Sequence, residues 1–434
     1  MNALYNIGTR AYFSSIRLAA FFGHRKARLM QAGRRNWAAR LEQRMADVPR
    51  PIVWFHAASL GEFEQGRPLI EELRRRYPHY SVLVTFFSPS GYEVRKNYKG
   101  ADLVTYLPYD TRANARRFLD IVRPEVVFFI KYEFWGNMLA ELDRRDIPTD
   151  LVSGIFRRNQ AFFRWYGGVM RPMLHYFSRF FVQDEESKQL LAELGFSNNV
   201  TVCGDTRFDR VLAIKAATRV LPWAEAFSAA APFTLVAGST WPKDEEILLD
   251  HFNRHPEMKL IIAPHEIHEE HVRDLVAKLK RPYRRYSEIL NERAKQAAAG
   301  HTHIDGINMA EVDCLVIDAI GFLSSLYRYG DAAYVGGGFG AGIHNTLEAA
   351  VYGIPVVFGP KHGQFREALG LIEAGGAFAI DGAEAYDGTM DGLIADAEAR
   401  REAGRRAGAY VQDNSGASDV IFTAVFGKRK HKAQ

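Results

Sequence analysis

Apolar positions in this chain fall into two series of short runs, set behind an opening stretch of a different kind. From residue 51, continuous apolar runs alternate with segments of helical spacing. Ile52–His56, Val82–Phe86, Leu103–Tyr106, Val126–Ile130, Asp150–Ser153, Phe180–Gln183 and Val200–Cys203 predict buried strands. Helices are predicted over 62–77, 90–98, 111–122, 136–145 and 185–194; on the first, Phe63, Leu69, Ile70 and Leu73 share one side. The segment 205–232 is helical, then Ala/Pro-rich, and reads as a link. The rhythm restarts with strands at Thr234–Ala237, Leu260–Ala263, Leu315–Asp318, Ala332–Val335 and Pro355–Phe358. Helices are predicted between and after them over 243–253, 268–280, 321–328, 345–352 and 364–373. Residues 290–312 are polar and Ala/Gly-rich and predict a surface loop.

Strands separated by helices imply parallel sheets covered on both faces. Two such series predict an α/β chain of two Rossmann-like, doubly wound domains. A length of 434 residues agrees with two domains. The predicted division is 1–48, 49–206 and 207–434, with the last helix able to return to the earlier domain. Wound sheets bind ligands beyond the carboxyl ends of their strands, so the loops there are expected to line a central cleft.

Residues 4–23 read LYNIGTRAYFSSIRLAAFFG, too interrupted by Thr9, Arg10, Ser14, Ser15 and Arg17 to span a bilayer. On a helix, Leu4, Ile7, Ala11, Leu18 and Phe22 share one side. Residues 1–48 carry nine Arg or Lys against Glu42 and Asp47, and Lys428–Lys432 is basic too, although the whole chain is only +5. An apolar face beside cations suits an anionic membrane surface; a helix packed on its own domain is the other reading. The basic ends lack the interleaved aromatics of a single-strand binder, so no nucleic-acid partner is expected. Cys203 and Cys314 lie far apart in apolar stretches and read as buried free thiols. No Cys/His cluster has zinc spacing, and no Asp-x-Asp occurs, so no metal and no cofactor is expected.

Four segments carry candidate chemistry. His56–Glu64 (HAASLGEFE) follows a strand and opens a helix. There Glu62 stands three residues after Ser59, the spacing of a capping box, and a carboxylate at this edge can equally deprotonate a hydroxyl. Lys131–Asn137 (KYEFWGN) follows the strand 126–130; Glu133 there either faces a ligand or pairs with Lys131. Gly204–Asp209 (GDTRFD) offers Arg207 for an anion, or for an ion pair with Asp205 or Asp209. Tyr334–Glu348 (YVGGGFGAGIHNTLE) runs from a strand through five glycines to a predicted helix near Asn345, so bare amides and a helix start predict an anion site. It does not fit G-x-G-x-x-G. Loops Gly238–Trp241, Pro264–Glu266 and Ile320–Phe322 follow other strands of the same half.

Together these segments resemble the Kdo transferases, which move 3-deoxy-D-manno-octulosonic acid (Kdo) onto lipid A precursor. The resemblance runs from about residue 4 to 425 through H-A-A-S-L-G-E, K-Y-E-F-W-G-N, G-D-T-R-F-D, G-S-T-W, P-H-E and H-N-T-L-E, with Gly353 and Pro355. It implies a GT-B fold, a CMP-Kdo donor, a lipid A precursor acceptor, and a place at the cytoplasmic face of the bacterial inner membrane. It implies Glu62 as base, with Glu133 and Arg207 supporting the transition state. Nucleotide contacts are implied at Ser239, Thr240, Pro264, His265, Ile320, Gly321, Phe322, Gly337, Gly338, Asn345, Thr346, Leu347 and Glu348. Acceptor contacts are implied at Ser59, Gly61 and Arg157. The family often has Lys where Arg207 stands, Glu where Phe322 stands, and Pro where Gly136 stands; at 320–322 only backbone contacts carry over. The alternatives are another nucleotide-sugar enzyme of this fold, an epimerase or lipid disaccharide synthase, and a non-catalytic binder of anionic membranes.

Overall fold

The computed structural model describes residues 3–218, 220–298 and 308–427, without the side chains of 293–298. Two compact units divide it: residues 1–210 with 415–434, and 211–414.

The first unit is a seven-stranded parallel sheet: β1 (Ile52–Ala57), β2 (Ser81–Phe86), β3 (Leu103–Tyr106), β4 (Val126–Ile130), β5 (Thr149–Gly154), β6 (Arg179–Val182) and β7 (Val200–Val202). Their order is β3-β2-β1-β4-β5-β6-β7. Runs buried on both faces account for their continuous apolar pattern. Trp54, Phe118, Phe129, Phe156 and Phe180 belong to one core cluster, and Phe55, Phe63, Phe86 and Phe128 to another. The helix Ala417–Phe426 completes the second through Ile421, Phe422, Val425 and Phe426. Asp209 receives the Gly416 and Ser418 amides at that helix's start, at 2.5 and 2.7 Å.

The second unit holds β8 (Phe233–Thr240), β9 (Met258–Pro264), β10 (Tyr283–Arg285), β11 (Cys314–Val316), β12 (Ala332–Val335), β13 (Val356–Phe358) and β14 (Ala377–Ala379). They are parallel, in the order β10-β11-β9-β8-β12-β13-β14. The edge strands β10 and β14, three residues each, escape the apolar-run criterion.

Several expectations change. The segment read as a link contains a helix, Pro222–Ser228, that buries Trp223, Ala224 and Phe227. Residues 290–298 are helical, within Tyr286–Ala298, rather than loop, because Ile289 is buried and draws that helix in. The rest of the expected loop up to 307 lies outside the described residues, as does the basic 428–432. The helix expected over 345–352 is one turn, Leu347–Ala350, followed by a tight turn at Gly353 with φ of 76°.

The opening stretch forms α1 (Ala3–Phe21), α2 (Arg25–Arg34) and α3 (Trp37–Met45). One side of α1 packs on its own unit, as the second reading has it. Phe13, Ile16 and Ala20 pack with Ala27, Met30 and Phe87, and the Tyr5 hydroxyl donates to buried Asp110 at 2.6 Å. The other side stays open, with Leu4 at 62%, Ile7 at 63% and Leu18 at 59% exposure, and Phe22 just past the helix end at 77%. No described helix is long and apolar enough to cross a membrane.

Candidate active site

Each sheet reverses its winding at one place; Glu62 and Glu133 follow the strands at the first and the glycine loop follows one at the second, while Arg157, Arg207 and 320–322 follow other strands. In the first unit the reversal lies between β1 and β4, where His56 pairs in register with Phe129. The segment after β1 turns into α4 (Leu60–Arg76). Glu62 does cap that helix: its Oε2 accepts the Ser59 amide at 2.8 Å and the Ser59 hydroxyl at 2.6 Å. Both bonds fall on one oxygen. Glu62 Oε1 makes no hydrogen bond to any described residue, so capping leaves one carboxylate oxygen for a substrate proton. Gly61, beside it, is exposed, and a Cβ there would meet nothing within 4 Å.

Glu133, after β4, bonds elsewhere than to Lys131, the pair that one of its two readings expects. Its Oε2 lies 3.0 Å from His56 Nε2 and accepts the Trp135 indole N–H at 2.6 Å. On the other side of the imidazole, Nδ1 lies 2.8 Å from the Thr85 hydroxyl, and that hydroxyl accepts the Trp54 indole N–H at 2.8 Å. Nε2–H donating to Glu133 fits these contacts, with Nδ1 facing the Thr85 hydroxyl and, at 3.2 Å, the Thr85 carbonyl. His56 is fully buried. It therefore holds the Glu133 carboxylate at the strand edge. The H-A-A-S segment contained this histidine, but only its pairing across the sheet reveals its role.

Arg207 opens the helix Thr206–Ala217, which the Thr206 hydroxyl ties to the Gln65 carbonyl of α4. Its guanidinium is engaged by Asp205, Nε at 2.9 Å and Nη2 at 2.8 Å. The ion-pair reading of Arg207 holds in this state. The Arg157 side chain is exposed and makes no hydrogen bond among the described residues, while its backbone amide donates to Gln160 Oε1 at 3.2 Å.

In the second unit the reversal lies between β8 and β12, with β9 and β11 alongside. Thr240 pairs with Pro264, and Gly238 with Val335, so loops 239–241, 264–266, 320–322 and 336–346 share one sheet edge. Ser239 sits there at φ of 54°, a conformation that side-chain-bearing residues rarely adopt. The glycine loop differs from the bare-amide expectation. The Gly337 amide donates to Asp244 Oδ2 at 2.9 Å; those of Gly340 and Gly342 donate to the Gly337 carbonyl at 2.9 and 3.1 Å. Asp244 also receives the Trp241 amide and the Tyr334 hydroxyl, at 2.9 and 2.8 Å. Gly337 is thus a structural member of the loop. The Leu347 amide is likewise taken by Asn345 Oδ1 at 3.2 Å, and its side chain is buried. Among the described residues, the amides of Gly338, Asn345 and Thr346 make no backbone hydrogen bond. The Thr346 hydroxyl is buried without a partner.

Three rings line the same edge. His265 stacks on Trp241 at 4.7 Å and on His344 at 4.5 Å, and the Trp241 indole donates to His344 Nε2 at 3.2 Å. Glu348 Oε1 accepts from Asn345 Nδ2 at 3.0 Å. Ile320 and Gly321 are exposed, the latter at φ of 100°, while Phe322 leans on Tyr286 at 4.9 Å. Such an edge offers amides to an anion and flat surface to a base. Among the described residues, only His251, His255 and Asp391 converge as metal ligands would; they lie on other segments, with His251 already bonded to Asp391 at 3.0 Å.

Two parallel wound sheets, each with its reversal-point loops, define the class: an α/β chain of the GT-B kind. Solved structures agree on the fold. The UDP-GlcNAc 2-epimerase of Neisseria meningitidis matches with a TM-score of 0.57 at 16% identity, covering 87% of this chain and 100% of its own. A putative UDP-N-acetylglucosamine 2-epimerase of Listeria monocytogenes matches with a TM-score of 0.55 at 14% identity, covering 88% and 97%.

The sequence comparisons are narrower. Residues 35–210 match the family described as 3-deoxy-D-manno-octulosonic-acid transferase (kdotransferase). The 3-deoxy-D-manno-octulosonic acid transferase of Bordetella pertussis is 29% identical over 89% of this chain and 90% of its own; that of Haemophilus influenzae is 26% identical over 86% of each. The chain is a homologue of the Kdo transferases and, with them, an enzyme of the glycosyltransferase class.

Proposed function

We propose that this protein transfers Kdo from CMP-Kdo to a sugar hydroxyl of a lipid A precursor, with inversion at the anomeric carbon. The observation that carries the reading is the division of labour within Glu62: one oxygen caps α4, and the other has no partner among the described residues. Glu62 Oε1 takes the acceptor's hydroxyl proton. The freed oxygen forms a bond to the anomeric carbon of Kdo from the face opposite CMP. The anomeric C–O bond breaks, and its electron pair leaves on the CMP phosphate. Glu133, locked by His56 and Trp135, supports the transition state from the neighbouring strand end. Arg207 joins it by exchanging part of its bond with Asp205 for substrate. Gly338, Asn345, Thr346 and Glu348 hold the nucleotide, with Ser239, Thr240, Pro264, His265, Ile320, Gly321 and Phe322 around it. Ser59, Gly61 and Arg157 face the acceptor.

We place the protein at the cytoplasmic face of the bacterial inner membrane, on an anionic surface. The open side of α1 supports this: an apolar face with Arg10 and Arg17 beside it belongs in a lipid interface. Incubation with CMP-Kdo and tetra-acylated lipid A precursor tests the reading. Mass spectrometry is expected to find the acceptor heavier by one or more Kdo units. Protection from thermal unfolding by UDP and not by CMP would instead favour an epimerase or disaccharide synthase.

A further inference from the structure

The first unit contains a cavity that the transfer chemistry leaves unused. It measures about 860 Å3 and is lined by Arg17, Arg28, Arg34 and Arg35 together with Tyr109 and Asn114, among others. No carboxylate lines it. Among the described residues none of the four guanidiniums pairs with an acid.

Arg34 is the best-built of the four. It is 5% exposed. Its Nε and Nη2 donate to the carbonyls of Leu107 and Phe87, both at 2.7 Å, and Nη1 to that of Met30 at 3.1 Å. Its guanidinium lies 4.8 to 5.0 Å from the rings of Phe87, Tyr106 and Tyr109. Carbonyls and rings fix the cation without neutralising it, and burial pushes its pKa down to about 10, still charged at neutral pH. A buried cation without a counter-ion is costly, and a bound anion removes the cost. A second observation points the same way. The Tyr109 hydroxyl is buried and has no hydrogen-bond partner among the described residues. An orphaned donor beside an uncompensated cation asks for an acceptor anion.

We propose that this cavity binds the phosphate of an amphiphilic phosphate ester. Guanidinium forks match phosphate oxygens, and the Tyr109 hydroxyl supplies a further donor. The volume exceeds a free phosphate and accommodates the ester's polar head. The chains have a place as well. Arg17 is followed on α1 by exposed Leu18 and Phe21, and just past its end by exposed Phe22, so a ligand headed by the cavity can lay apolar tails there. Two sources carry this chemistry: the acceptor glycolipid and the anionic phospholipids around it. The first source rests on the transferase reading; binding itself does not.

Calorimetric titration of the full chain with dihexanoylphosphatidic acid, below its micellar concentration, tests the site without any assay of transfer. Binding is expected to be at least about ten-fold tighter than for dihexanoylphosphatidylcholine. The double variant Arg17→Gln/Arg35→Gln is expected to weaken it by about ten-fold or more. Neither side chain makes a hydrogen bond among the described residues, so the thermal midpoint should not move. Tyr109→Phe should weaken it a few-fold. Equal binding of the two lipids, or equal binding by wild type and double variant, overturns the proposal. The double variant then identifies the source. A raised KM for acceptor in phospholipid-free micelles assigns the cavity to the acceptor. An unchanged KM with co-sedimentation on phosphatidylglycerol/phosphatidylcholine vesicles lost also in Arg35→Gln alone, a residue outside α1, assigns it to the bilayer. If neither changes, the site does not act on either source and the proposal fails.

Discussion

In the proposed transfer, the working atoms at the reversal point of the first sheet belong to side chains; those at that of the second belong largely to the main chain. Glu62 and Glu133 stand at the ends of β1 and β4, each with one oxygen tied down by neighbours. The second edge is a turn that bonds to itself through Gly337 and to buried Asp244. Proton transfer needs a group whose charge can change, and carboxylates supply it. Holding a nucleotide needs donors at fixed positions, and a rigid turn supplies those. The two edges should therefore fail in different ways: the first by losing rate with the fold intact, the second by losing fold and ligand together.

Glu62→Gln is the sharpest test of the first half of that statement. Glutamine keeps a capping oxygen at the third helical position but cannot take a proton. Transfer should fall by about 10²–10⁴-fold while stability changes by less than about 0.5 kcal/mol. Protection by CMP, read by thermal shift, should be unchanged. Glu62→Ala removes the cap as well and should cost about 1 kcal/mol in addition. Turnover near wild type in either variant would show that Glu62 is not the base.

Asp244→Ala tests the other half. It strands the Gly337 and Trp241 amides and the Tyr334 hydroxyl, all bonded to a side chain that is 1% exposed. Denaturant unfolding should register a loss of roughly 2–4 kcal/mol, and CMP protection should weaken with it. Full stability with unchanged CMP protection would mean that the loop does not depend on this carboxylate.

A pair of glycine substitutions repeats the contrast on a smaller scale. A Cβ on Gly338 would lie 2.6 Å from the Gly359 Cα, whereas one on Gly61 would meet nothing within 4 Å. Gly338→Ala should cost about 1–3 kcal/mol by forcing two backbones apart. Gly61→Ala should leave stability unchanged or raise it by up to about 1 kcal/mol, since it restores a helix-forming residue on α4. Equal effects in urea unfolding would erase the distinction between the two edges.

The same contrast explains what the amino-acid pattern could convey. Long apolar strands such as β4 and β9 announce themselves, because burial on both faces demands an unbroken run. The three-residue β10 and β14 do not, since an edge strand needs few apolar residues. The positions of Glu62 and Glu133 were legible as residues following strands. The capping bond of Glu62 was legible as well, from its spacing to Ser59; the bonds of Glu133 were not, because His56 reaches it across 77 residues of sequence and only the order of β1 and β4 makes them neighbours. At the glycine loop, five glycines suggested free amides, yet several serve close backbone approach instead. A Cβ on Gly336 would sit 2.3 Å from the Ser239 carbonyl oxygen, a constraint invisible without the register of β8 and β12. The open face of α1 was readable from helical spacing, while the packing of Phe13 and Ile16 depended on Phe87, which comes from a distant strand end.

Acid should separate the two units by the direction of their response. Burial, and then the charge of His265, hold the His344 imidazole below its ordinary 6.5; burial does the same for His251. Both lie in the second unit. Between those lowered values and 6.5 the unfolded chain binds protons that the folded chain does not. Stability from these groups is therefore complete above 6.5 and falls as pH drops through that window. Protonation of His344 Nε2 also removes the acceptor of the Trp241 indole. In the first unit, burial raises the Asp110 carboxyl above its ordinary 3.8. Its contribution has the opposite sign: it is present below 3.8 and is lost as pH rises through the raised value. Hydrogen-exchange protection, corrected for intrinsic rates, should thus fall between pH 7 and pH 5 in peptides around His344 and Trp241. Peptides around Asp110 and Asn137 should hold or gain. His344→Asn should flatten the first slope and leave the second alone. A uniform loss of protection in both units would show instead that they unfold as one cooperative body, and the two edges could then no longer be perturbed separately.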